Sequence, residues 1–280
     1  MADGLDGMAG ADHHLIGRRE APVDRAVEIL LGRLFPRDAE ERRLTDQGRI
    51  GFLIGNTGTG KSSIADQVFS HEQERETEHT IDMRSLPARM GGNRSIVVYD
   101  VPGNLSHASG HQKAWDAIFQ HKVSGLINVV SYGFNETASR NCPYAPYSDE
   151  AKGIVDASYL EWFRADDEDF LRTWLDSMPS PEKIKWLVIA VNKHDLVYPF
   201  WERIKIHYGA DSRYGQAVQN RLPNLEEYHV VPVWAGRRDG AGQSFKGHIP
   251  PHSGTVPDQK EAINNTFLDT VDACLNRWRA

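Results

Sequence analysis

The sequence predicts an α/β fold of three layers, in which a mostly parallel central sheet is covered by helices on both faces. Segments with the periodicity of strands alternate along the chain with segments of helical periodicity. A glycine-rich loop, GNTGTGKSS at 55–63, lies between the first such strand and the first helix after it. Polar motifs follow three later strands, and ligands of open parallel sheets bind at the carboxyl ends of the strands.

Composition narrows the function classes. A chain of 280 residues can form one large α/β domain with insertions or two small domains, and its net charge of −7 gives no direct sign of nucleic-acid binding. Cys142 and Cys274 are the two cysteines, and they lack C-x-x-C spacing. With no signal-peptide core near the start and no apolar run long enough to cross a bilayer, a cytoplasmic protein is expected.

The N-terminal part is predicted to differ from the rest. Residues 1–20, rich in Gly, Ala, Asp and His, are expected to form a disordered tail. Residues 21–36 are expected to form an amphipathic helix, with Val23, Ala26, Val27, Leu30, Leu31 and Leu34 on one stripe. This stripe should pack on the chain's own domain; a partner, a second copy or, less favoured, a membrane surface are alternatives. Residues 37–280 would form the main domain, with an insertion at about 134–160.

The strands and helices of the main domain follow from hydrophobic periodicity. The first strand lies at 49–55, and the helix after the loop carries Ile64, Ala65, Val68 and Phe69 on one face. Later strands are predicted at 94–103, 125–134, 184–195 and 227–236, and helices at 111–122, 168–178 and 263–278. The irregular stretch at 135–159 is either an effector or dimer surface or a neutral insertion. Residues 164–170 are expected to be a solvated helix start.

The glycine-rich loop has the form G-x-x-x-x-G-K-S, which binds phosphate. Its backbone N–H groups can surround phosphate oxygens at the positive end of a helix dipole. Lys61 would neutralise the β- and γ-phosphates, and the Ser62 hydroxyl would bind Mg²⁺. The expected nucleotide-binding residues are Gly55, Asn56, Thr57, Gly58, Thr59, Gly60, Lys61, Ser62 and Ser63. This loop alone does not separate ATP from GTP.

A D-x-x-G motif, DVPG at 100–103, follows the second predicted strand. Asp100 would hold a Mg²⁺-bound water. The N–H of Gly103 would meet the γ-phosphate and so report its presence. Because D-x-x-G is common by chance, this motif gains weight only from its position after a buried strand.

An N-K-x-D motif, NKHD at 192–195, indicates guanine. The Asp195 carboxylate can accept hydrogen bonds from guanine N1–H and the exocyclic amine, a donor pair that adenine lacks. Lys193 would lie along the base plane, and Asn192 would tie this loop to the phosphate loop. A plain polar turn after a strand is the alternative. In VWAG at 233–236, Ala235 could donate its N–H to guanine O6, although Trp234 and Gly236 depart from the usual pattern.

These four motifs in this order resemble those of the P-loop GTPases of the translation-factor-related class, over about 49–280. The phosphate loop is also similar to those of septins, chloroplast-import GTPases and immunity-associated GTPases. The resemblance implies a Ras-like G domain that binds GTP and GDP with Mg²⁺ and hydrolyses GTP to GDP and phosphate. Hydrolysis would then act as a conformational switch for a protein effector or activator.

Departures from the family pattern imply slow hydrolysis. The switch threonine, which would bind Mg²⁺ and the γ-phosphate, is Thr77 or Thr80; Thr80 is favoured because 79–86 could begin the next strand. Asn104 stands where many members orient water with glutamine, and Thr57 replaces a common glycine. A missing group would come from a partner or from a homodimer across the nucleotide face. His107 and His111 are surface or switch residues, or they position water.

A GTPase switch is therefore the favoured function. A GTP-sensing assembly module with little or no turnover is the alternative, and a P-loop ATPase or kinase with an accidental NKHD is a third candidate. The loop at 236–257 could cover the base or hold a partner, and the sequence does not choose between these roles.

Overall fold

The computed structural model describes residues 36–69, 82–90, 94–121, 123–135, 142–235 and 259–278. The predicted tail at 1–20, the predicted helix at 21–36 apart from its last residue, and the loop at 236–257 lie outside these ranges. The chain divides into two compact units, Met1–Ala39 and Glu40–Ala280, and the sheet belongs to the second unit.

Six of the described strands form one sheet. They are β1 (Ile50–Ile54), β2 (Arg84–Met90), β3 (Arg94–Asp100), β4 (Gly125–Val130), β7 (Trp186–Val191) and β8 (Glu227–Pro232). Their order in the sheet is β2-β3-β1-β4-β7-β8. All neighbouring pairs are parallel except β2 with β3. The predicted, mostly parallel sheet is therefore confirmed. A short antiparallel pair, β5 (Tyr147–Asp149) and β6 (Ile154–Val155), forms a separate hairpin.

Helices connect the strands. They are α1 (Pro36–Asp46), α2 (Lys61–Ile64, continued by a π-helical turn at Ala65–Phe69), α3 (Ala108–Gln120), α4 (Ala157–Ser177), α5 (His194–Val197), α6 (Trp201–Tyr208), α7 (Arg213–Gln219) and α8 (Lys260–Arg277). None of the helices within the described ranges has the length and apolar character that a membrane crossing requires.

Each face of the sheet carries its own hydrophobic core. One core joins alternate strand residues such as Phe52 and Leu187 to apolar residues of α3, α4, α6 and α7. The other joins Leu53 and Val188 to α2 and α8. Because successive side chains of a strand point to opposite faces, strands covered on both faces are apolar throughout. The three-layer α/β fold predicted from the sequence is thus confirmed.

Helix α4 differs most from its prediction. It begins at Ala157, not at 168, because the Asp156 side chain caps it by accepting a hydrogen bond of 3.0 Å from the backbone N–H of Tyr159. The interpretation of 164–170 as a solvated helix start is therefore wrong, since these residues lie in the middle of a 21-residue helix. The stretch predicted as irregular also contains the β5–β6 hairpin.

The sequence marked only the start of strand β2, within 79–86, and did not predict helices α6 and α7. Strand β2 contains Pro87, which lacks a backbone donor, and such a residue is tolerated on an edge strand. Helices α6 and α7 are short and are separated by residues 209–212, so neither gives a long periodic signal. Helix α3 begins at Ala108, three positions before its predicted start.

Candidate functional site

The phosphate loop requires glycine where the structure places it. Gly55 has φ of +137°, and a Cβ there would lie 2.3 Å from the carbonyl oxygen of Val129. Gly60 has φ of +86°, and a Cβ there would lie 2.3 Å from Nδ2 of Asn192. Gly58 also has positive φ, at 80°. L-residues with a Cβ rarely adopt these angles, so the glycines fix the course of the loop from β1 to α2.

Side chains of the loop fold back on its own backbone. Lys61 donates from Nζ to the carbonyl oxygen of Asn56 at 3.0 Å, and Thr59 donates to the same oxygen at 2.9 Å. The Asn56 side chain accepts a hydrogen bond of 2.8 Å from the N–H of Thr57. Helix α2 begins at Lys61, so its first N–H groups point out of the helix towards the loop. The arrangement places an ammonium group and a helix N-terminus around one concave turn.

Ser62 and Asp100 meet beside the loop. The Ser62 hydroxyl donates to Oδ2 of Asp100 at 2.7 Å, and Asp100 is fully buried at the end of β3. Mg²⁺ prefers oxygen ligands, and a hydroxyl and a carboxylate supply them here, so Ser62 and Asp100 fit that ion. Arg84, which sequence reasoning missed, lies 3.6 Å from Oδ2 of Asp100 and 3.0 Å from Asp66. It lies after a polar stretch, in an edge strand without an apolar run, so no pattern marked it as a site residue.

Gly103 touches the phosphate loop. A Cβ at this position would lie 2.6 Å from Nζ of Lys61 and 2.6 Å from the backbone nitrogen of Thr57. Real Cβ atoms do not approach backbone this closely, so a larger residue would push the two loops apart. The D-x-x-G segment and the phosphate loop are therefore brought together as the sequence predicts.

Asn104 and His111 belong to one hydrogen-bonded turn. The Asn104 side chain accepts a hydrogen bond from the N–H of Ser106 at 3.1 Å, and the backbone carbonyl oxygen of Asn104 lies 3.0 Å from Nε2 of His111. Trp174 donates from Nε1 to Nδ1 of His111 at 3.2 Å. Nδ1 is thus the acceptor, and Nε2 carries the proton and donates to Asn104. Burial lowers the pKa of the His111 imidazole, which keeps it neutral.

The surface position considered for His111 is therefore wrong, because this residue is 1% exposed. It holds the turn that follows Gly103, and its ring nitrogens are engaged by protein groups. His107 is the residue before α3 and is half-buried.

Asn192 joins three motif loops. Its Nδ2 donates to the carbonyl oxygen of Thr59 at 3.0 Å and lies 3.5 Å from that of Gly60. Its Oδ1 accepts from the N–H of Ala235 at 3.1 Å. In this structure the Ala235 N–H, predicted to meet guanine O6, is thus engaged by Asn192. Trp234 is held by a reciprocal pair of hydrogen bonds with the side chain of Asn264.

Lys193 and Asp195 lie in the same loop. Lys193 has φ of +58°, an unfavourable angle for a residue with a Cβ, and donates from Nζ to the carbonyl oxygen of Phe134 at 2.7 Å. Asp195 is 1% exposed in the first turn of α5. The ring centroids of His194 and Trp234 lie 6.4 Å apart, so the indole of Trp234 lies near this loop.

Two carboxylates of α4 also reach the site, and sequence reasoning missed both. Asp166 accepts a hydrogen bond of 2.5 Å from Nδ2 of Asn56 in the phosphate loop. Asp167 accepts one of 2.9 Å from Nδ2 of Asn135, which follows β4. The pKa of Asp167 is raised to about 7, chiefly by burial and to a smaller extent by the nearby Asp166, whereas the hydrogen bond from Asn135 opposes the shift. A signal was present: Asp167 occupies the apolar stripe of α4, between Phe163 and Phe170.

The structure thus gathers most predicted site residues at the carboxyl ends of β1, β3, β7 and β8. Gly55 to Ser63, Asp100, Gly103 and Asn104 lie together at one end, and Asn192, Lys193, Asp195 and Ala235 lie in the two loops that Asn192 joins to it. Thr77 and Thr80, the candidate switch threonines, lie outside the described residues.

No protein-family model matches the sequence, and no curated protein matches it. Among solved structures, the chain matches one described as "The Structure of the Mammalian SRP Receptor", with 17% sequence identity and a TM-score of 0.40. The match covers 67% of this chain and 92% of that chain. The strand order and the helices on both faces of the sheet are those of a three-layer α/β fold.

Proposed function

We propose that this chain binds GTP and GDP and hydrolyses GTP slowly to GDP and phosphate, acting as a conformational switch. The observation that carries the proposal is the side chain of Asn192. It bonds the phosphate loop through Thr59 and the VWAG segment through Ala235. Residues far apart in the chain thereby form one site with a phosphate end and a base end.

Guanine selectivity would come from Asp195. A buried carboxylate needs hydrogen-bond donors, and guanine offers N1–H and an exocyclic amine on one edge. Adenine presents no such pair, so ATP would not match the Asp195 carboxylate. Lys193, fixed to Phe134, would line the base plane.

Lys61 and the N-terminus of α2 would hold the phosphates. The ammonium group of Lys61 already lies against the loop backbone, and a phosphate oxygen would take the place of the Asn56 carbonyl as its partner. Ser62 and Asp100 would hold Mg²⁺, with Thr80 or Thr77 as a further ligand. When bound, this ion would neutralise charge on the β- and γ-phosphates.

Hydrolysis is the attack of water on the γ-phosphorus. The water oxygen forms the new bond as the bond to the β–γ bridging oxygen breaks, and the bridging oxygen leaves on GDP with the electron pair. The water protons pass to phosphate and solvent. Lys61 and the N–H of Gly103 would stabilise the charge that develops on the γ-phosphate oxygens.

Slow turnover would follow from Asn104. Its side-chain oxygen accepts from the Ser106 N–H and so holds a turn. A water-orienting group would then come from a protein activator or from a second copy facing the nucleotide. Loss of the γ-phosphate would release Gly103, whose loop continues into α3, and so change the surface offered to an effector.

The same observation on Asn104 favours one alternative, a GTP-sensing assembly module with little or no turnover. The test is steady-state hydrolysis of GTP with Mg²⁺ over a wide range of protein concentration, with ATP in parallel. Lys61→Ala gives the background rate, and Lys113→Ala, which removes an exposed lysine of α3, is the matched control.

We expect a low GTP rate that Lys61→Ala abolishes and Lys113→Ala preserves. A specific activity that rises with protein concentration would indicate that two copies complete the site. A constant rate would indicate a separate activator. Tight GTP binding without turnover would replace the GTPase with the assembly module, and an ATP rate above the GTP rate would overturn the role of Asp195.

A further inference from the structure

A second cluster of polar side chains lies where β8 begins, at the end of the sheet opposite the phosphate loop. Glu227 and His229 are two positions apart on β8, so their side chains point to the same face. Cys274, near the C-terminal end of α8, approaches them from the helix that covers this face. The cluster shares no residue with the proposed nucleotide site.

The ligand atoms of these three residues converge. Oε2 of Glu227 lies 3.2 Å from Nε2 of His229 and 3.8 Å from Sγ of Cys274. All three atoms lie within 4.8 Å of one another. Cys274 is fully buried, whereas the His229 side chain is 39% exposed and leaves one side of the cluster open to solvent.

The other oxygen of the same carboxylate is held in place. Oε1 of Glu227 accepts a hydrogen bond of 2.5 Å from Nε1 of Trp278 and lies 3.2 Å from Nη1 of Arg277. These contacts orient the carboxylate so that Oε2 faces the histidine and the cysteine. Outer partners of this kind commonly fix the ligands of metal sites.

We propose that Glu227, His229 and Cys274 form a binding site for a divalent transition metal, with zinc as the best fit. Bonds of about 2.0–2.3 Å to oxygen, nitrogen and sulfur in a tetrahedral site place the ligand atoms about 3.3–3.7 Å apart. The two shorter separations in the cluster are within a few tenths of an ångström of this range. A thiol with an imidazole suits zinc and disfavours Mg²⁺ or Ca²⁺, which take oxygen ligands.

The charges of the three ligands and their positions on β8 and α8 indicate a structural role for the metal ion. A Zn²⁺ ion is balanced by one carboxylate and one thiolate, the thiol proton passes to solvent, and Arg277 stays on the outer oxygen. With three protein ligands, water completes the tetrahedron on the solvent side. The ion then links edge strand β8 to helix α8 and fastens the C-terminal helix to the sheet.

The test is a Co²⁺ titration of the untagged, chelator-treated full-length chain in excess Mg²⁺, which occupies sites that bind through oxygen. We expect one equivalent of Co²⁺ to give a thiolate-to-cobalt charge-transfer band and the strong visible bands of a tetrahedral site. Stoichiometric Zn²⁺ should abolish both. Cys142→Ser, the matched control, should keep the spectrum, and Cys274→Ser should lose it.

A second variant covers the case in which Cys274→Ser disturbs the core. His229→Gln changes a half-exposed side chain, so it should leave the unfolding temperature of the metal-free chain unchanged. It should weaken Co²⁺ binding by about tenfold or more, because loss of even an outer partner costs that much. Zn²⁺ should raise the unfolding temperature of the wild type well above its effect on His229→Gln.

The proposal is overturned if one equivalent of Co²⁺ gives no charge-transfer band. It is equally overturned if the band persists in Cys274→Ser, disappears in Cys142→Ser, or forms in His229→Gln with wild-type affinity.

Discussion

Asn135 donates a hydrogen bond of 2.9 Å to Asp167, which is 2% exposed. Asp167 is next in sequence to Asp166, which accepts a hydrogen bond from Asn56 of the phosphate loop. Burial is the main cause that raises the pKa of Asp167 to about 7. The carboxyl group therefore holds a proton over a pH range in which an unfolded chain would have lost it.

Asp167→Asn should remove a pH dependence of stability. Between 3.8, the ordinary pKa of an aspartate side chain, and about 7, the native state binds more protons at Asp167 than the unfolded state, so this contribution to stability falls as pH rises. It is fully present below the lower value and lost above the higher, a change of up to roughly 4 kcal/mol. We therefore expect the free energy of unfolding of Asp167→Asn, relative to that of wild type, to rise by up to roughly 4 kcal/mol between acidic and mildly alkaline pH. Urea denaturation at several pH values measures this difference.

Only the difference between variant and wild type carries this test. Burial lowers the pKa of His207 to about 4, which contributes a pH dependence of opposite sign to both proteins. Asp169→Asn, at an exposed position on the same helix, is the matched control for replacing a carboxylate by an amide. A difference for Asp167→Asn that does not change with pH would exclude a buried proton.

How far the sequence predicts this site depends on how local each feature is. The phosphate loop, DVPG and NKHD are contiguous, and each follows a strand, so their meeting at one sheet edge follows from parallel pairing. The contact of Asp166 with Asn56 joins residues 110 positions apart, and it depends on where α4 begins and how it turns. That start depends on the cap at Asp156, which no periodicity marks.

The strands show the same division. Apolar runs buried on both faces identify β1, β4 and β7, because only a covered parallel sheet makes such runs stable. Edge strand β2 has no such run and contains Pro87. The hydrophobic pattern of the sequence also does not indicate that β2 pairs with β3.

Asp195→Asn should exchange guanine for xanthine specificity. An amide in place of the carboxylate presents a donor to the guanine amine, whereas xanthine carries a carbonyl oxygen at that position. Hydrogen bonds to charged groups are worth about 1.5–3 kcal/mol each, so the affinity for GDP should fall by about 100-fold or more. Xanthosine diphosphate should bind better than GDP, measured by calorimetry.

Asp211→Asn, a change at an exposed carboxylate between α6 and α7, is the control for this experiment and should bind GDP like wild type. Unchanged GDP affinity in Asp195→Asn would remove Asp195 from the base site.

Gly103→Ala should slow GTP hydrolysis and spare GDP binding. The new Cβ would collide with the backbone of Thr57 and with Lys61. It would so shift the N–H that we propose meets the γ-phosphate. Loss of one such donor costs about 100-fold or more in rate, while GDP has no γ-phosphate to contact. Single-turnover hydrolysis and GDP titration separate the two effects. Ser106→Ala, at an exposed position of the same turn, should match wild type, and a Gly103→Ala rate equal to it would refute the contact.

Asn192→Ala should destabilise the protein and weaken nucleotide binding together. It leaves the Thr59 carbonyl and the Ala235 N–H without their partner, at a cost of about 2–4 kcal/mol for two buried groups. Asn224→Ala removes one exposed bond to Glu182 and should cost about 1 kcal/mol or less. Both variants are compared by chemical denaturation and by GDP titration. If both lose the same stability and both keep full GDP affinity, Asn192 does not join the loops.

The bond from Asn192 to Thr59 spans 133 positions, and this distance sets an order of events during synthesis. The glycine-rich loop leaves the ribosome long before β7, and contacts between distant segments form late because closing a long loop costs entropy. A nascent chain that ends before β7 contains the whole glycine-rich loop but lacks the Asn192 amide that bonds to it. We therefore expect such a chain not to retain nucleotide, so that nucleotide capture marks the completed pairing of the sheet.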